Sequence, residues 1–138
     1  YMAMRHIDEA VREFEVAAKK DPHSAMALEA LGWAHLLAGD SEQAVIALKH
    51  AVAIDPSHQR AQAHLGAAYY TQLDYEKAIP YLQRAIELGA QEADPYYQLG
   101  LCLAYTEQCD KAVLYLQHAL EIDPNCQPAK QGLRVCQQ

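Results

Sequence analysis

LGWAHLLAGDSEQAVIALKHAVAIDP, residues 31–56, is followed by LGAAYYTQLDYEKAIPYLQRAIELGA at 65–90 and LGLCLAYTEQCDKAVLYLQHALEIDP at 99–124. Leu31-Gly32, Leu65-Gly66 and Leu99-Gly100 stand 34 residues apart each time. The same step relates Ala44, Ala78 and Ala112; Leu48, Leu82 and Leu116; and Ala51, Ala85 and Ala119. One further step backward reaches Ala10, Phe14, Ala17 and Pro22. A fixed period of this size marks an array of small units, each too thin to bury its apolar face alone.

Each unit reads as two helices. Leu28, Leu31 and His35, or Ala61, Leu65, Ala68 and Tyr69, recur at helical spacing in the first half, and Ala44, Val45, Leu48, Ala51 and Val52 do so in the second. Asp40 and Asp74 stand where an N-cap would accept hydrogen bonds from the free N–H groups of the second helix. Asp55-Pro56 and Asp123-Pro124 end it, since proline biases its predecessor away from helix. Gly32, Gly66 and Gly100 fall mid-helix, where glycine costs about 0.5–1 kcal/mol against alanine, so close helix approach is expected there. In the middle unit Gly89-Ala90 replaces Asp-Pro, and Gly89 is expected to close that turn in a left-handed conformation. Pro80 lies in the first turns of a second helix and should bend it only modestly.

These columns resemble the tetratricopeptide repeat, with its pattern W-x2-L-G-x2-Y, A-x3-F and P over 34 residues. The resemblance spans a partial unit at 1–24, full units at 25–58, 59–92 and 93–126, and a capping helix at 127–138. It implies an all-α, right-handed α-solenoid of antiparallel helical hairpins. The column for the first aromatic holds Leu28, Gln62 and Tyr96, and the tyrosine column holds His35, Tyr69 and Leu103, with Tyr1 in the same column of the partial unit. Arg134 replaces the glycine of the Leu-Gly pair, blocking close approach of a following helix. Ala129, Leu133 and Cys136 form one stripe, while Lys130, Gln131, Arg134, Gln137 and Gln138 face elsewhere, as a terminal cap requires.

The resemblance also implies a concave groove lined by the first helices. Its candidate partner-binding residues are Met26, Glu29, Trp33 and Leu37 in the first full unit, Arg60, His64 and Tyr70 in the second, and Asp94, Tyr97, Gln98, Leu101 and Tyr105 in the third. Spacing of three to four residues puts each set on one helical face. Trp33 lies outside the core columns, and with Tyr70, Tyr97, Leu101 and Tyr105 it would form the kind of aromatic wall from which binding hot spots are drawn. Stacking of these rings on neighbouring repeats is the competing reading. Arg60 and Asp94 would either pair with each other or meet a ligand. The Lys, Asn and Arg clamp of the family's chaperone-tail binders is absent, as is the asparagine ladder of its glycosyltransferase members, whose column here holds Ala30, His64 and Gln98.

Composition sets outer bounds. A net charge of −7 opposes the cationic surface that nucleic-acid binding requires. No apolar stretch is long enough to span a bilayer, and no signal peptide is visible, so a cytoplasmic location is expected. Cys102, Cys109, Cys126 and Cys136 contain no C-x-x-C pair and read as free thiols of a reducing compartment. His50 and His118 occupy equivalent outward positions, and repeat geometry accounts for them without a metal. No catalytic motif, metal site or cofactor site is expected, and the expected function is protein–protein interaction: a peptide-binding scaffold or adaptor with a protein or peptide as partner. The alternative is a substrate-presenting segment of an enzyme whose catalytic domain lies elsewhere. Because the chain opens inside a hairpin, it reads as part of a longer protein, and the bare face of the helix holding Val11 and Phe14 offers a surface for self-association.

Overall fold

The computed structural model describes residues 2–137, with side chains from Arg5 onward; Tyr1 and Gln138, placed above in a core column and on a polar face, lie outside the described residues. Among the described residues eight helices follow one another: α1 Met2–Lys20, α2 Ala25–Leu37, α3 Ser41–Ile54, α4 Gln59–Thr71, α5 Tyr75–Glu87, α6 Ala93–Tyr105, α7 Cys109–Ile122 and α8 Gln127–Gln137. The starts of α2 to α5 are chemically marked. Ser24, Asp40 and Asp74 accept from the backbone N–H of Ala27, Gln43 and Lys77, and Nδ1 of His58 accepts from that of Ala61.

Each hairpin turns through one left-handed residue. These are Gly39 (φ +82°), Leu73 (φ +63°) and Glu107 (φ +63°), again 34 apart. In all three turns the next residue's N–H closes the helix end, Asp40 onto His35 O at 2.8 Å, Asp74 onto Tyr69 O at 2.9 Å and Gln108 onto Leu103 O at 2.8 Å. Gly89 (φ +97°) closes α5 as expected. The helix runs unbroken through exposed Pro80 to Glu87.

Within a hairpin the glycine of one helix receives the leucine of the next. A Cβ on Gly66 would lie 2.6 Å from Leu82 Cγ, and one on Gly100 would lie 2.6 Å from Leu116 Cγ; Gly32 meets Leu48 in the same way. Leu48, Leu82 and Leu116 are accordingly fully buried, together with all three members of both alanine columns. The first helices α2, α4, α6 and α8 also touch one another in series, whereas α3, α5 and α7 touch only their chain neighbours. That asymmetry curves the stack and puts the even-numbered helices on its inner side. Among the described residues α1 is a single helix packed on α2, and His6, in register with the N-cap Asp40, lies inside it.

One expectation about chemistry changes. Cys109, at the start of α7, and Cys136, in the last turn of α8, form a disulfide with their Cα atoms 5.4 Å apart. Only Cys102 and Cys126 are free, and both are buried. The linked pair come from different columns and meet only because α8 packs across α7.

Candidate functional site

The twelve residues expected on the groove all fall on α2, α4 and α6, but they do not form one continuous wall. Met26 stands free at 75% exposure, and Leu37 and Tyr105 are exposed at the ends of their helices. Leu101 is not on the open face. It is only 3% exposed, because α8 lies over it with Gly132, where a Cβ would come 3.0 Å from Leu101 Cδ2. Glu29 is likewise withdrawn, at 7% exposure.

What withdraws Glu29 is His64, one repeat on. Nδ1 of His64 lies 2.7 Å from Glu29 Oε1, with both side chains largely buried. The contact is an ion pair whenever the imidazole is protonated, and no acceptor lies along a hydrogen-bond direction from the buried Nδ1. Burial alone would raise the Glu29 carboxyl, but His64 together with the charges of Arg60 and His58 outweighs it and holds the group below its ordinary value. Arg60 and Asp94 make no ion pair with each other among the described residues; the inter-repeat pair is Glu29–His64 instead.

The same imidazole supports Trp33. The two rings stack with centroids 4.2 Å apart and planes 15° apart, leaving the indole 42% exposed. Trp33 thereby divides two hollows. On one side a hollow of about 230 Å³ collects Arg60, His64, Asp94 and Gln98, together with Glu92 and Pro95. On the other, an apolar hollow of about 160 Å³ lies between α1 and α2, walled by Ile7, Ala10, Phe14 and Leu37.

Farther along, Tyr70 meets Tyr97 edge-on at 6.5 Å and Tyr75 at 6.2 Å, and Tyr75 lies 4.9 Å from Tyr105. These tyrosine rings pack against one another between neighbouring elements, tilted or edge-on. Tyr75, from the first turn of α5, was not among the expected residues. Burial is the main cause that pushes Tyr70 up to about 12 and raises Tyr97 and Tyr75, with Asp94 adding to the shift at Tyr97 and Tyr105 to that at Tyr75. His118 is occupied in stacking on Tyr96 at 4.2 Å, and no group of three His, Cys, Asp or Glu among the described residues could hold a metal ion.

The tetratricopeptide repeat profiles match residues 1–59 and 59–125. A crystal structure of MamA superposes with a TM-score of 0.83 at 32% identity, over 94% of this chain and 76% of that one. The chain belongs to the tetratricopeptide repeat family. As such it is a protein-interaction module. A second MamA structure agrees at 31% identity, with 95% of this chain and 72% of that chain covered and a TM-score of 0.83. An O-GlcNAc transferase mutant from Thermobaculum terrenum matches at 29% identity and a TM-score of 0.70, over 81% of this chain but 22% of its own. YrrB, described as a TPR protein with an unusual peptide-binding site, shares the fold at 21% identity, with a TM-score of 0.76 over 96% of this chain and 77% of that one. No curated protein matches by sequence. No helix among the described residues is long and apolar enough to cross a membrane.

Proposed function

We propose that this tetratricopeptide array binds a short segment of a partner protein, extended or helical, along the inner face of α2, α4 and α6, acting as a scaffold or adaptor. The observation that carries the reading is Trp33, half-exposed yet fixed by its stack on His64 between a polar and an apolar hollow. A rigid aromatic loses little conformational freedom on binding, which suits it to anchor a partner. The two hollows fit an apolar side chain placed next to a polar or charged one. Tyr70, Tyr97, Gln98 and Tyr105 would extend the contact toward α6, with Arg60 and Asp94 offering opposite charges across the polar hollow. The bare face of the helix holding Val11 and Phe14 is the surface through which a second copy would associate.

Trp33 is the sole tryptophan, so its emission reports on this site directly. Peptides selected by display on the wild-type chain should shift that emission. Trp33→Ala with Tyr97→Ala should then weaken them about tenfold or more by calorimetry. Ile46→Ala, exposed on α3, should leave them unaffected. Undiminished binding by the double variant, with its helicity intact, sinks the proposal. The second reading, a substrate-presenting segment of a larger enzyme, is favoured by the likeness to a part of the O-GlcNAc transferase chain. A catalytic domain in the same open reading frame would decide for it.

A further inference from the structure

α8 is an 11-residue helix, too short to be stable alone in water, and it touches only α6 and α7. Its grip has two parts. Ala129 and Gly132 are buried, and a Cβ on Gly132 would meet Leu116 Cδ1 at 2.9 Å and Leu101 Cδ2 at 3.0 Å, so the backbone of α8 lies directly on those two leucines. Beyond Gly132 the last turn exposes Arg134 and Val135 and is held by the bond from Cys136 to Cys109. Both linked cysteines are partly open to solvent, unlike Cys102 and Cys126.

We propose that the Cys109–Cys136 disulfide is a redox-controlled latch on α8, and that its reduction by a solvent dithiol frees the helix and uncovers Leu101 at the end of the inner face together with the side of Leu116 that α8 covers. A thiolate of the dithiol attacks Cys136 Sγ, and the S–S bond breaks with Cys109 leaving as thiolate and then taking a proton. The second thiol of the reductant displaces Cys136 from the mixed disulfide and closes the reductant's own ring. Two electrons and two protons thus pass to the protein, and the dithiol becomes a cyclic disulfide. Cys109 is the better leaving group because it opens α7, whose N-terminus lacks a side-chain cap and favours negative charge. Cys102 cannot serve as an internal attacker, being buried with its thiol pushed up to about 12. The latch stands on the placement of α8 alone; only its consequence for peptide binding rests on the function proposed above.

Hydrogen exchange on the full chain, air-oxidised and in dithiothreitol, reads the latch. Reduction, verified as a mass gain of two hydrogens, should speed exchange across residues 127–137 about tenfold or more while α3 is unchanged, and reoxidation should restore protection. Cys136→Ser and Cys109→Ser should each reproduce the reduced pattern without reductant. The latch is overturned if the fully reduced chain keeps the oxidised protection, or if the air-oxidised chain carries Cys109 and Cys136 as alkylatable thiols. Faster exchange in α8 with unchanged peptide affinity upholds the latch and locates peptide binding away from α8.

Discussion

Gly66→Ala adds one methyl group at the tightest point of the central hairpin. The new Cβ would lie 2.6 Å from Leu82 Cγ, 2.7 Å from its Cδ2 and 3.2 Å from its backbone nitrogen. The side chain could swing aside, but the backbone nitrogen belongs to α5 and yields only if the helix moves. Two effects oppose each other. Alanine in a helix interior is favoured over glycine by about 1 kcal/mol. Overpacking a close-packed core costs about 1–3 kcal/mol, and the upper part of that range applies where backbone forms the wall. The net expectation is a loss of about 1–2 kcal/mol, which for a chain of this length lowers the melting temperature by about 4–8 °C. A double-mutant cycle with Leu82→Ala isolates the cause. Leu82→Ala alone should cost about 2–5 kcal/mol, but in that background Gly66→Ala should cost about 1 kcal/mol less, because the contacts with Leu82 Cγ and Cδ2 are gone and only the backbone nitrogen remains. Urea unfolding of the four chains gives the coupling. Equal destabilisation by Gly66→Ala in both backgrounds, or a stabilised single variant, would refute the packing account.

Leu73 is a left-handed residue with a side chain 69% exposed, so Leu73→Gly relieves backbone strain at little packing cost and should stabilise by about 0.5–1 kcal/mol after the entropy of the unfolded glycine is counted; a lowered urea midpoint refutes this. Glu29 is held below its ordinary value near 4.5, so its ionised form stabilises the fold fully above that pH and the gain fades as pH falls through the lower folded value. The midpoint difference between wild type and Glu29→Gln should therefore shrink below about pH 4.5, and a pH-independent difference would contradict the Glu29–His64 pairing. Tyr70 is pushed up to about 12 from 10, so the folded chain disfavours its phenolate. Its contribution is intact below the unfolded value and declines above it, and spectrophotometric titration should find one late-titrating phenol that Tyr70→Phe removes; titration of every tyrosine near 10 would count against the burial.

The hairpins were legible because each column repeats a single contact: a glycine facing a leucine, an alanine facing a helix backbone. Any residue that breaks such a contact stands out against two copies that keep it. The left-handed turn residues were less legible, since only Gly39 carries the chemical mark and Leu73 and Glu107 adopt the same conformation without it. Cys109 and Cys136 escaped because no column links them; their meeting is a product of how α8 crosses α7. Tyr75 escaped for a related reason, standing on a second helix whose first turn reaches the ends of α4 and α6.

The inner face shows most clearly where reading by column fails. Trp33, Ala67 and Leu101 share one column, and His64, Gln98 and Gly132 share another, each pair 31 residues apart. Superhelical stacking brings the members of each pair together, so the product of the two residues, rather than either alone, sets the local surface. Trp33 with His64 makes a propped ring that stays half-open. Ala67 with Gln98 leaves space, and both line the polar hollow. Leu101 with Gly132 closes completely, because glycine lets the α8 backbone settle on the leucine. Leu101 thus leaves the open face while Trp33, its counterpart in the same column, dominates it. The open part of the inner face is therefore encoded in residues of adjacent units, and substituting Gly132 should change what lies exposed at Leu101 as surely as substituting Leu101 itself.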